Sequence, residues 1–256
     1  MLSSTTLSTS DFYTGAFHSE FGNATSGVFD LNFRNGNNEK REHSLMIGLL
    51  GVEFGSEGYF TKSSKASYLI NYRYSTLALL NTFLAPVGDV LPKYSDLSFK
   101  INVPTANAGT FSIFGLGGSN EAFEEPEADS TAWQSYYDRE GFVENQQMGV
   151  VEIGHRYLLS DRTWLRTVAS ASYEKYTDRY YELIPEQNYS QFVNDSTLFE
   201  NYLYRGSIAL THKFNAKNTI KTGLIYSYKG YTFDYQSIED SVWVSWLDGK
   251  GALSSY

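Results

Sequence analysis

Cysteine is absent from the 256 residues, and proline and histidine occur only five and four times. The lack of thiols excludes a disulfide scaffold, a cysteine-ligated zinc or iron–sulfur site and a cysteine nucleophile. Charge is scarce too: charged residues make up 19% of the chain, below the roughly 25% of an ordinary soluble domain. Basic residues number 20 against 29 acidic, for a net charge of −9. A nucleic-acid partner is therefore not expected, because phosphate neutralisation needs clustered Lys and Arg. No run approaches the about 18 consecutive apolar residues of a membrane helix, and mean hydropathy is −0.36. Neither fact excludes a membrane, since transmembrane strands alternate outward and inward residues and average to a polar value. Residues 1–10, MLSSTTLSTS, hold neither a basic n-region nor an apolar h-region, so no signal peptide is expected in them.

Aromatic residues are abundant, with 21 Tyr, 17 Phe and 4 Trp making 16% of the chain. With so little charge, they point to β-structure at a polar–apolar boundary. Period-two alternation supports this. In 67–75, Tyr68, Ile70, Tyr72 and Tyr74 oppose Ser67, Asn71, Arg73 and Ser75, with Leu69 the exception. Leu97, Phe99, Ile101 and Val103 oppose Ser98, Lys100 and Asn102. Tyr202, Tyr204, Ile208 and Leu210 oppose Arg205, Ser207 and Thr211, while Ile220, Leu224, Tyr226 and Tyr228 oppose Lys221, Gly223, Ser227 and Lys229. Segments 109–117, 146–158 and 163–176 are noisier but strand-like, and only 76–84 has a helical pattern.

Short turns are expected at 61–65, 104–108, 160–162 and 215–217, and long polar connections at 77–95, 118–145, 177–200 and from 235 onwards. Parity then places the turn of the first hairpin, 42–60, near 48–51. Short and long connections alternate, as in an outer-membrane barrel and unlike a soluble β-sandwich. The expected fold is all-β, a partial antiparallel transmembrane β-barrel of about nine strands. A tenth strand is expected barely to begin after Gly251.

The first 40 residues do not read as barrel. They contain Asp11-Phe-Tyr-Thr-Gly-Ala-Phe17, Glu20-Phe-Gly-Asn-Ala-Thr-Ser-Gly27, Val28-Phe-Asp-Leu-Asn-Phe-Arg34 and Asn35-Gly-Asn-Asn38. In this order the segments resemble the end of the plug domain of TonB-dependent outer-membrane receptors. Gly51-Val-Glu-Phe-Gly-Ser-Glu-Gly58, Ser67-Tyr-Leu-Ile-Asn-Tyr-Arg-Tyr74 and Tyr94-Ser-Asp-Leu-Ser-Phe-Lys100 resemble the early barrel of Bacteroidota-type members. His18 departs from the pattern, standing where relatives often have proline.

The resemblance implies that residues 1–40 are the C-terminal end of a plug, preceding the barrel as its last strand. Residues 41–256 would be the truncated N-terminal part of a barrel of about 22 strands. Its plug-end motif falls on Glu20, Gly22, Asn23 and Gly27, with a structural role in which Gly22 and Gly27 allow turns that a Cβ would obstruct. Phe29, Leu31 and Phe33 would face the plug interior, and Asp30, Asn32 and Arg34 the lumen wall. The implied function is capture of an extracellular ligand and its import with energy from the TonB system. Implied partners are outer-membrane lipid, the TonB complex (through plug segments missing here), a surface lipoprotein and an unidentified extracellular ligand. The implied location is the cell outer membrane. A complete small porin or adhesin barrel and a soluble surface-binding β-domain are the competing readings.

Little suggests catalysis. His18, His43, His155 and His212 share no metal-ligand spacing, and no nucleophile elbow or P-loop occurs. Gly115-Leu-Gly117-Gly118 lacks the strand-to-helix context of a dinucleotide site. Enzymatic activity, a metal and a cofactor are accordingly not expected. Glu121, Glu124, Glu125, Glu127 and Asp129 lack the regular spacing of a calcium loop and read as a solvated acidic connection. Trp133, Tyr136 and Tyr137 in the same connection, with Tyr180, Tyr181 and Tyr189 in the next, are candidate ligand-binding residues, because exposed aromatics mark interaction surfaces. Packing of one loop on the other is the competing use.

Overall fold

A computed structural model describes residues 3–22, 25–48, 51–75, 93–185, 188–239 and 242–255. Asn23, the helical pattern at 76–84, most of the connection 77–95 and the centre of the turn at 48–51 lie outside the described residues.

Two antiparallel sheets are formed. In the first, β1 (Asp11–Tyr13) pairs with β2 (Val28–Asp30), and an isolated bridge joins Leu7 to Phe33. The second is a ten-stranded meander in which every strand pairs with its neighbours in the chain. It begins with β3 (Glu42–Ile47), β4 (Gly51–Tyr59), β5 (Ser67–Ser75), β6 (Lys93–Pro104) and β7 (Thr110–Glu124). It continues with β8 (Glu140–Ser160), β9 (Thr163–Ile184), β10 (Ser190–Lys213), β11 (Thr219–Glu239) and β12 (Val242–Ser255). The sheet is open, with β3 and β12 each paired on one side only. It is the wall of a partial antiparallel barrel.

Because the meander is antiparallel throughout, its hairpins alternate between two edges. The turns at 60–66, 105–109, 161–162 and 214–218 share one edge, and the hairpins β7–β8 and β9–β10 turn at the other. Gly109 makes one of the tight turns possible: its φ is +79°, and a Cβ there would lie 2.3 Å from the Arg156 carbonyl oxygen.

The connections on the opposite edge are shorter than the sequence pattern suggests. Instead of 118–145 and 177–200, the residues outside the strands are 125–139 and 185–189. β11 continues to Glu239, and the tenth strand starts at Val242 rather than after Gly251. The cause is strand length. β8 to β11 run for 21 to 24 residues, far more than the roughly 9–11 that cross a bilayer. Their distal parts carry polar residues on both faces, which erases the alternation.

Register assigns every side chain to a face. Ile70, Phe99, Gly115, Val151, Ala171, Tyr204 and Tyr228 form one lateral row on the apolar face. The other face carries Glu57, Leu69, Lys100, Phe114, Glu152, Ser170 and Arg205 in a row. Burial is inverted relative to a water-soluble core. Leu224 is 77% exposed and Ile153 56%, whereas Asn71 is 2% and Ser67 1% exposed.

The polar side chains are buried because the N-terminal segment lies on their face. The Arg34 guanidinium makes two hydrogen bonds to the Glu57 carboxylate, at 2.6 and 2.7 Å. Lys100 Nζ donates to the Phe33 carbonyl at 2.6 Å, and the Phe33 ring packs on Phe114 at 4.6 Å between centroids. Ser3 donates to Glu53 at 2.6 Å, and Glu20 pairs with Lys221 far along the sheet. Gly36 crosses so close to Tyr68 that an added Cβ would sit 1.9 Å from its carbonyl oxygen. Leu69, the exception in the alternation, is 4% exposed on this covered face. Two expectations for the segment are corrected. Strand β2 ends at Asp30, so the alternation does not continue, and both Phe33 and Arg34 meet the wall. Gly22 has φ −57°, and a Cβ there would meet only the Ser19 carbonyl oxygen in ordinary contact at 3.8 Å, whereas at Gly27 it would be crowded by the Phe12 ring at 3.2 Å.

Candidate functional site

The distal ends of β7 to β10 and their two connections bring the aromatic candidates together. Residues 125–139 are turned by their own carboxylates. Asp129 accepts from the Thr131 hydroxyl and backbone N–H at 2.7 and 2.9 Å. Asp138 accepts from the backbone N–H groups of Gln134 and Ser135 at 2.5 and 2.6 Å, which caps a 3-10 turn at Tyr136–Arg139. Hydrogen bonds from Thr131 hold the Asp129 carboxyl below the usual carboxylate range, and backbone bonds from Ser135 and Gln134 do the same for Asp138. The acidic connection thus spends these two carboxylates on its own backbone. Among the described residues, no group of three His, Cys, Asp or Glu side chains is placed to hold a metal ion.

Tyr136 donates its hydroxyl to Glu182 at 2.7 Å, and Arg139 both pairs with Glu182 at 2.9 Å and lies 3.9 Å over the Tyr136 ring. One face of Tyr136 is therefore occupied by a cation. Trp133 donates its indole N–H to the Glu127 carbonyl at 2.7 Å and meets the edge of Tyr189 at 6.3 Å. Tyr189 has φ +57°, an uncommon conformation for a bulky residue. It is held there by the Trp133 contact and by a 2.6 Å hydrogen bond between its hydroxyl and that of Ser130. The two connections are thereby tied to one another.

Tyr180 and Tyr181 are adjacent in β9 and so point to opposite faces. Tyr180 lies on the covered-face side, tilted against Phe142 at 5.8 Å. Tyr181 is 8% exposed, with its ring against Gly141 on the other face. Tyr137 is 77% exposed and stands edge-on to Tyr136. Of the six candidates, Tyr137 and Tyr180 present open ring surface, Tyr136 presents one face, Trp133 and Tyr181 serve packing, and Tyr189 ties the two connections together. Arg139 and Glu182 were not legible as members of this cluster, because nothing in their spacing links residues 46 apart in sequence such as Tyr136 and Glu182.

The histidines are dispersed. His155 donates Nε2–H to the Ala108 carbonyl at 2.7 Å and stacks on Phe111, His212 bonds Thr163 at 2.8 Å, and His43 bonds Ser56 at 3.0 Å.

The apolar face has its own geometry. Tyr72, Leu97, Gly117, Gly149, Tyr173 and Tyr202 form the last apolar row towards the long connections. The next row is Tyr74, Ser95, Ser119, Gln147, Lys175 and Glu200. Tyrosines therefore stand where apolar gives way to polar. From Tyr202 to Leu210 the apolar part of β10 measures about 26 Å along the strand, close to the roughly 25 Å band of a membrane barrel. No described helix is long and apolar enough to cross a membrane. Comparison of the chain with family models, curated proteins and solved structures gives no match.

Proposed function

We propose that this chain is the plug end and first barrel strands of an outer-membrane active-transport receptor of the TonB-dependent type. In this reading it binds an extracellular ligand and imports it with energy from the TonB system. The observation that carries the reading is the sheet's asymmetry. One face is an uncovered apolar band bordered by tyrosines, and the other is polar and holds the N-terminal segment through Arg34–Glu57 and Glu20–Lys221. Tyrosine suits the border because its ring favours hydrocarbon and its hydroxyl the headgroups. The long strands lift Tyr137 and Tyr180 beyond the band, where a ligand arriving from outside meets them first. A soluble surface-binding domain would expose this apolar band to water, and a complete small porin would close its sheet.

Membrane fractionation tests the location. Expressed with an export signal, the chain should sediment with outer membrane and resist carbonate but not detergent. Ile153→Lys, on the apolar face, should reduce insertion by about 2–4 kcal/mol, while Ser172→Lys on the polar face should not. Equal behaviour of the two variants refutes the membrane reading. The transport role requires that restoring the complete receptor gene confer uptake that stops when the inner-membrane gradient is dissipated.

A further inference from the structure

Two depressions adjoin on the apolar face. The larger, about 740 Å³, has a floor of Gly115, Gly117, Gly149 and Ala171, where neighbouring strands present nothing larger than a methyl group. Phe99 and Tyr173 are among its walls. The Phe99 ring lies against Gly115, 2.3 Å from where a Cβ would be, while at Gly149 the nearest atom to an added Cβ is 3.9 Å away. The smaller depression, about 280 Å³, shares Ser95, Ser119 and Gln147 with the larger and continues to Lys93, Glu121 and Asn145. Register orders them by height. Gly117 pairs with Gly149, the next row on this face pairs Ser119 with Gln147, and the row beyond pairs Glu121 with Asn145. Within about 13 Å along the strands, a glycine floor gives way to hydroxyl and amide groups and then to charge.

A depression of this size facing hydrocarbon does not remain empty, because its lining would forfeit dispersion contacts. Water is a poor filler, since glycine Cα atoms and a phenyl ring offer it none of the polar partners it needs. The apolar material at hand is an acyl chain, and the volume falls within the range of small-molecule sites. We propose that the paired depressions form a lipid site: an acyl chain lies in the glycine-floored groove, and an uncharged, hydroxyl-bearing head of the sugar type occupies the polar pocket. The proposal rests on the membrane reading above. The head is assigned from what the pocket still offers. Lys93 and Glu121 already pair at 3.3 Å, and Lys93 lies 4.3 Å over the Phe123 ring, so the two charges satisfy each other. The remaining groups are the Ser95 and Ser119 hydroxyls, 3.2 Å apart and each with further hydrogen-bonding capacity, the Asn145 and Gln147 amides and the Tyr74 phenol, which donate and accept as sugar hydroxyls do. An anionic head would lie beside the Glu121 carboxylate, and a zwitterionic one would have to separate the ion pair.

The test uses the full chain in an amine-oxide detergent, so that no sugar-headed detergent competes. It is equilibrated with equal amounts of monoglucosyl diacylglycerol, phosphatidylethanolamine and phosphatidylglycerol of identical acyl chains, and retained lipid is measured by mass spectrometry. The glycolipid should be enriched about fivefold over either phospholipid, the factor supplied by one additional net hydrogen bond. Gly149→Leu fills the groove and should abolish retention of all three lipids, with Gly149→Ala, which the open space accommodates, retaining them. The double variant Asn145→Ala, Gln147→Ala should keep retention and lose the preference. Parent-like retention by Gly149→Leu overturns the groove, and enrichment of either phospholipid overturns the head assignment. A chain that stays in solution without detergent overturns the membrane reading and this proposal with it. A chain that needs detergent yet shows no retention overturns the proposal alone.

Discussion

The polar face of the sheet is the same surface in two different surroundings. Across β4 to β7 it lies under the N-terminal segment, and Ser67, Asn71 and Asp96 are 1 to 3% exposed there. Across β11 it carries the same kind of alternation, and on the neighbouring β12 Leu253 is 72% and Leu247 59% exposed. Alternation therefore decides which face a residue joins but not whether that face is covered. The apolar exceptions carry the second message. Leu69 and Phe114 break the polar pattern where Gly36 and Phe33 pack on them. Leu247 and Leu253 break it likewise, with no covering group among the described residues. Where such an apolar residue is covered, on β5 and β7, the partner is the chain's own N-terminal segment.

The largest expected effect concerns the edges that bound these two halves. β3 beside the covered half and β12 beside the uncovered half each leave a row of backbone groups unpaired. In hydrocarbon each such group costs several kcal/mol, and an open edge pairs with any available strand. Refolded alone into liposomes, the chain should enter the bilayer but self-associate through these open edges, show no heat-modifiable gel migration and conduct no solute. A folded, conducting species would mean that these ten strands close by themselves.

Next in size is a direct test of covered against uncovered. Leu69→Ala should cost about 2–4 kcal/mol, as for a buried leucine, and should raise hydrogen exchange of the β1–β2 amides as the segment loosens. Leu253→Ala should stay within about 0.5 kcal/mol. Equal costs would show that the segment contributes no packing to the sheet.

The ion pairs divide the same way, with a smaller difference. Arg34 binds Glu57 in a two-pronged geometry, with the glutamate side chain 14% exposed. Arg34→Ala should weaken the segment by about 2 kcal/mol, between the surface and buried limits. Lys221 and Glu20 are 45% and 40% exposed, so Lys221→Ala should cost less than about 1 kcal/mol. Protease sensitivity of residues 3–38 reads both, and a reversed order would place the anchor at the far end of the segment.

Most of the sheet was legible within the apolar band, where one face is apolar and the other polar. Tyr68, Ile70, Tyr72 and Tyr74 share a face as their spacing implies. Above the band both faces are polar, as at Lys175 and Asp178, so β9 and β10 read there as loops. That same error hid the difference between Tyr180 and Tyr181. Neighbours in a loop can converge on a ligand, but neighbours in a strand cannot. The pairing of Tyr136 and Arg139 with Glu182 depends on a hairpin register that pattern alone does not set.

The smallest effect lies in the connection above the sheet, which is ordered by its own hydrogen bonds rather than by cover. The Asp138 carboxyl is held below its usual range by the backbone N–H groups of Ser135 and Gln134, and Asp129 by Thr131. A carboxyl depressed in the folded loop contributes order that is complete above its unfolded pKa, near 3.9. That order is lost as pH falls through the lower folded value. Fluorescence of Trp133 and exchange of the 127–139 amides should thus be flat from neutral pH down to about pH 4 and change only below it. Asp138→Asn keeps an acceptor oxygen but no charge. It should loosen the 3-10 turn at neutral pH and flatten the acid transition, while β8 and β9 remain paired. A transition centred near neutrality, or one unaltered in this variant, would assign the order of the connection to groups other than these two carboxylates.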